Sequence, residues 1–185
     1  PSYSASYSQS RKSIKAYLKE YPSICLVLDL HRDAVENNKG KQVSFTAEYQ
    51  GNTAAQLMLV VGTRQEGWQS NMALAVKLHA RLEQLCSGIC RPISFCSQRF
   101  NQDLSPGALL VEVGAAGNSH PEARLAAEEL AKAIGIDSGV VAKAIRLTWL
   151  SPKIIHKIIK IKMLENDERT VVSVFGANFV IQPKY

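Results

Sequence analysis

The chain has 185 residues, of which 46% are hydrophobic and 21% charged, and a formal net charge of +6. That is ordinary globular composition, enough for one sizeable core with a small appendage. No apolar run reaches the roughly 18 residues of a membrane-spanning helix, and no signal peptide is legible at the polar start. Residues 1–134 carry 14 basic and 12 acidic side chains, whereas residues 135–185 carry 8 and 4. The excess in the shorter tail suits an acidic partner: nucleic acid, an anionic cell-wall polymer or lipid headgroups.

The first segment, "SQSRKSIKAYLKEYPSI", places Ile14, Tyr17 and Leu18 at helical spacing, and Pro22 ends that helix. "CLVLDL" is a short continuous apolar run, which predicts a strand buried on both faces. It passes directly into His31, Arg32 and Asp33. After a polar turn over 36–41, "VSFTAEY" alternates as a strand with one exposed face, "QGN" turns, and "AAQLMLVVGT" predicts one apolar strand. "SNMALAVKLHARLEQLCSG" predicts a long helix with Met72, Ala75, Leu78, Leu82 and Leu85 on one stripe and Gly88 as its stop. "ISFCS" and "ALLVEVG" read as strands flanking the loop "NQDLSPG", and "HPEARLAAEELAKAIG" as a helix from Pro121 to a stop at Gly135. Alternating strands and helices predict an α/β fold, a mostly parallel sheet flanked by helices.

Beyond Gly135 the text changes character. "DSGVVAKAIRLTWLSPKIIHKIIKIKM" predicts two short helices broken at Ser151-Pro152, and "TVVSVF" with "NFVIQ" a terminal hairpin around Gly176-Ala177-Asn178. The expected organisation is an α/β domain over residues 1–134 and a basic extension of helices and a hairpin over 135–185. Of the four cysteines, Cys25 sits in an apolar run and is expected in the core. Cys86, Cys90 and Cys96 do not have a recognised zinc spacing. A disulfide from Cys90 to either neighbour and free buried thiols both stay open.

In open α/β sheets, ligands sit at the carboxyl ends of strands, and two strands here carry ionisable groups near that end. His31 follows "CLVLDL"; its ring could ligate zinc, though a lone histidine is more often a loop residue. Glu112 interrupts the apolar run "ALLVEV". Burying a lone carboxylate costs several kcal/mol unless it is paired or protonated, so Glu112 is either a general base with a raised pKa or a water-facing residue of an edge strand. His79 is expected on the partly polar face of its helix, His120 at a loop or cap, and His156 in the solvated tail. No P-loop, G-x-G-x-x-G, G-x-S-x-G or H-E-x-x-H motif is present.

Taken together, "SYSQSRKSIKAYLKEYPSI", "VLDLHRDA", "LMLVVGT", "NMALAVKLHARLE" and "FNQDLSPGALLVEVGAAGNSHPEA" resemble, in order, the stage II sporulation protein P family of zinc-dependent N-acetylmuramoyl-L-alanine amidases. The resemblance covers roughly residues 1–134. It implies peptidoglycan hydrolysis in the cell envelope, cleaving the amide between the glycan's lactyl group and the first alanine of the stem peptide. It maps a zinc ligand onto His31 and the catalytic acid/base onto Glu112. Arg32, Asp33, Asn101 and Asn118 become supporting or substrate-facing residues. The family's earlier His-Thr-His motif with its glutamate, which would supply the other zinc ligands, has no counterpart here. The domain over residues 1–134 is therefore expected to be incomplete at its N-terminal side, with His31 the one zinc ligand. Peptidoglycan, and other cell-wall or sporulation proteins, are the implied partners. The tail segment "VVAKAIRLTWLSPKIIHKII" is similar to a stretch of large serine recombinases, which would bring nucleic acid to the tail. The competing expectation is a non-catalytic binding module, a degenerate amidase fold that holds cell wall or a partner protein, or nucleic acid through the basic tail.

Overall fold

A computed structural model describes residues 3–135, 157–163, 170–174 and 177–181. Helix α1 runs Tyr3–Glu20, ahead of Pro22, and strand β1 runs Ile24–Asp33. The short strands β2 (Thr46–Tyr49) and β3 (Asn52–Ala55) form a hairpin of their own, turned at Gln50-Gly51. Strand β4 (Leu57–Gly62) leads into helix α2 (Trp68–Leu85) and strand β5 (Ser94–Cys96). Strand β6 (Ala108–Ala115) and helix α3 (His120–Ile134) complete the block. Ser119 and Glu122 close a reciprocal capping box at the start of α3, and Gly135 ends it in the left-handed conformation that glycine adopts most cheaply.

The central strands lie in the order β5-β4-β6-β1. β5 pairs parallel with β4, and β6 parallel with β1; the β4–β6 junction between them is antiparallel. The expected α/β architecture is therefore met. Three further strands, β7 (Lys157–Met163), β8 (Thr170–Val174) and β9 (Ala177–Ile181), extend the sheet beyond β1, each antiparallel to its neighbour. β8 and β9 are the anticipated terminal hairpin. β7 corrects the second of the two expected tail helices. "KIIKIKM" sets Ile159, Ile161 and Met163 against Lys160 and Lys162, a period of two that suits a strand. The first of those helices, the Ser151-Pro152 break, His156 before β7 and the recombinase-like match up to it lie outside the described residues.

The two faces of the sheet carry different cores. Leu28 and Leu30 of β1, Leu57, Leu59 and Val61 of β4, and Leu109, Val111 and Val113 of β6 point towards α2 and α3. They meet Ala75, Leu78 and Leu82 of α2 and the small side chains Ala123, Ala126, Ala127 and Ala131 of α3. Leu28, Leu57, Leu59, Leu82, Leu109 and Leu130 are fully buried; each contributes roughly 1.5–3 kcal/mol by leaving water. The opposite face is covered by α1, where Ile14 packs with Ile24, Val27 and Ala108, and with Tyr17 and Leu18 alongside. That apolar cover reaches only the first part of β1 and β6; beyond it α1 contributes the Tyr7 ring, which lies against His31. The end of this face is otherwise left to polar residues.

Two expectations are corrected here. Cys25 is exposed, because the first turn of β1 buries Ile24 and faces Cys25 outward. The single strand expected over 54–63 divides at Gln56, whose backbone bonds Phe45 and Gly114. All four cysteines are free thiols, Cys86 buried and Cys90 and Cys96 partly so. Burial first, then nearby Glu83, pushes the Cys90 thiol up to about 12. No helix among the described residues is long and apolar enough to cross a membrane.

Candidate functional site

The site grows from strand alternation. Leu28 and Leu30 face the α2–α3 core, so Asp29 and His31 face the other way; a register shift then separates His31 from Asp33. On β6, Leu109, Val111 and Val113 face that core, which turns Glu112 to the same side as His31. The parallel register then sets His31 directly beside Glu112. The ionisable groups that the sequence placed about 80 residues apart are next-door neighbours near the carboxyl ends of two parallel strands.

His31 Nε2 lies 3.0 Å from Asp29 Oδ1, and both side chains are nearly buried, at 9% and 7% exposure. The ring of Tyr7, from α1, stacks on His31 at a centroid distance of 6.4 Å. Burial disfavours a charged imidazole, but the hydrogen bond and charge of Asp29, with Glu112 behind it, outweigh that and raise the His31 pKa. Asp29→Asn removes the largest opposing influence. Its expected result in the metal-free chain is a His31 titration midpoint well below the parent's, read by NMR; an unmoved midpoint would show that Asp29 does not hold the ring.

Glu112 Oε2 is sealed from solvent and has no hydrogen-bond partner among the described residues. Burial drives the Glu112 carboxyl up to about 7. Asp33 and Asp29 push the same way, against the pull of His31 and Arg91. A carboxyl that exchanges its proton near neutrality is suited to general acid–base work.

The remaining sequence candidates support the site. Asp33 accepts a 2.7 Å bond from Arg91 Nη1, and the Arg91 guanidinium lies 3.8 Å from the centre of the Phe45 ring. Arg32 turns away to bond the carbonyls of Ala115 and Ala116, tying the end of β1 to the loop after β6. Asn101 donates to the Tyr7 carbonyl (3.1 Å) and Ser10 Oγ (2.9 Å), so it anchors α1 under Tyr7. Asn118 is buried; its Oδ1 accepts from the amides of Phe45 and Ala115, and its Nδ2 donates to Phe45 O and Glu122 Oε2. Asp29 and Arg91 were not singled out in the sequence. Asp29 has a signal, its period-two spacing from His31; Arg91 has none, since it arrives from the loop between α2 and β5.

Among the described residues no group of three His, Cys, Asp or Glu could hold a metal ion. His79 lies on α2 and His120 opens α3. One His31 nitrogen is already engaged by Asp29. The described residues thus do not by themselves fit a complete zinc centre, and His31 offers one coordination position.

A family model described as Stage II sporulation protein P matches residues 1–135, a span that contains both His31 and Glu112. The chain belongs to the stage II sporulation protein P family. It is similar to the Stage II sporulation protein P of Bacillus subtilis (strain 168), with 28% identity over 134 residues, covering 70% of this chain and 32% of that protein. The chain therefore spans about a third of that relative's length. No solved structure matches. The family match ends at the stop of α3.

Proposed function

We propose that this chain carries the acid–base residue of a peptidoglycan amidase that cleaves between the glycan's lactyl group and the first alanine of the stem peptide. The observation that carries the reading is the register pairing of His31 with Glu112, whose carboxyl is pushed up to about 7. Glu112, ionised, takes a proton from the attacking water as its oxygen bonds to the scissile carbonyl carbon. The resulting neutral acid gives that proton to the leaving nitrogen as the C–N bond breaks. The products are a lactyl carboxylate and a peptide with a free amine. Asp29 holds the His31 ring, and Arg91 holds Asp33 at the rim.

Zinc dependence is part of the proposal, with His31 as the single ligand contributed here; bound zinc would polarise the scissile carbonyl and acidify the attacking water. The described residues do not complete that centre. The proton transfers assigned to Glu112 rest on the geometry of β1 and β6. The working place would be the cell envelope, with peptidoglycan as the partner. Mass spectrometry of soluble muropeptides incubated with chain and zinc tests the reading. A new amine on the alanine together with an intact lactyl acid supports it. Retention of peptidoglycan with no such products would instead make the chain a binding module.

A further inference from the structure

Next to His31 lies a cleft of ≈ 290 Å³, lined by Tyr7, Arg11, Gln98, Arg99, Phe100 and Asn101 among others. It shares one wall with the site, because the Tyr7 ring that stacks on His31 also meets Phe100, at 5.8 Å between centroids. Its two sides are tied together. Asn101 bonds the Tyr7 carbonyl and Ser10, and Arg11 grips both oxygens of Asp103 at 2.8 and 2.6 Å. Phe100 and Asn101 are held in succession in the left-handed region, at φ 49 and 58, which costs strain that the bonds to α1 offset. The cleft is therefore preformed. Its charges are not balanced: Asp103 takes up Arg11 and also attracts the exposed Arg99, but Arg99 makes no ion pair among the described residues.

We infer that this cleft is a subsite for a carboxylate on the peptide side of the substrate, with Arg99 as its partner and the Tyr7 and Phe100 faces packing the adjoining apolar atoms. The inference rests on the hydrolytic reading of Glu112 and His31. A guanidinium at the wall selects a carboxylate over a neutral sugar, and a space of this size takes a short peptide segment.

The test is titration calorimetry in the Glu112→Gln background, so that no turnover intrudes. Two synthetic muropeptides are compared, one with free peptide carboxylates and one with all of them amidated. The free acid is expected to bind about tenfold tighter. Adding Arg99→Gln should erase that preference and leave the Kd of the amidated ligand unchanged, while Arg99→Lys keeps part of it. Equal binding of the two ligands before Arg99 is changed, a preference that survives Arg99→Gln, or no binding at all would each overturn the subsite. A chain that proves to lack amidase activity but shows the preference keeps the subsite and loses the hydrolytic reading. An active chain without the preference does the reverse.

Discussion

Glu112→Gln is expected to make the metal-free chain more stable than the parent above pH 7, by about 3 kcal/mol. The sign follows from the carboxyl's displacement. Folding raises its pKa from the ordinary 4.5 to about 7, chiefly by burial. Below 4.5 the group is protonated in both folded and unfolded chains and contributes no difference. As pH rises from there, the unfolded chain releases its proton first, and parental stability falls until the folded carboxyl also ionises near 7. Above that the cost is constant. Glutamine has no proton to release, so the gap between variant and parent opens between pH 4.5 and 7 and then levels. Urea denaturation at pH 4 and pH 8, with m-values compared, measures it. A gap that is the same at both pH values would mean that Glu112 faces water and is not the enclosed acid the site requires.

Asn118→Ala should be the most damaging single change among the polar residues at the loop after β6, destabilising by about 3 kcal/mol. The amide makes four hydrogen bonds, including one from the buried Ala115 N–H at 2.8 Å and two to the backbone of Phe45. Truncation leaves the Ala115 and Phe45 N–H groups without their acceptor, whereas the Phe45 carbonyl keeps Gln56 N–H and Glu122 Oε2 keeps Ser119 N–H; each orphaned donor costs roughly 1–3 kcal/mol. The loop also positions Phe45 under Arg91, so the Asp33–Arg91 bridge should loosen as well. Denaturant unfolding reads the loss; a shift below about 1 kcal/mol would show that water replaces the lost bonds.

Much of this arrangement can be read from residue patterns, and the gaps have physical causes. "CLVLDL" and "ALLVEV" announce buried strands because apolar runs of that length have nowhere else to go. Glu112 stands out because a carboxylate there needs a reason. What local pattern cannot give is register, so the pairing of His31 with Glu112 emerges only once β1 and β6 are seen side by side. Arg91 is invisible for the same reason: its partners Asp33 and Phe45 are 58 and 46 positions away. Asp29 was hidden by its setting, an acid within an apolar run, though its spacing to His31 marks the shared face. Asn101 and Asn118 look like turn residues, and they are the struts of the loops that flank the site. "KIIKIKM" offers both helix-forming lysines and a two-residue alternation, and pairing with β1 decides for the strand.

The central claim is that Glu112 does the proton transfer in amide hydrolysis. Its most direct test is the rate at which a soluble muropeptide releases a free alanine amine, measured for the zinc-supplied chain and for Glu112→Gln side by side. The expected result is release by the parent and a drop of about 10²–10⁴-fold in the variant, with both chains equally folded. Release by Glu112→Gln at the parent's rate would contradict it.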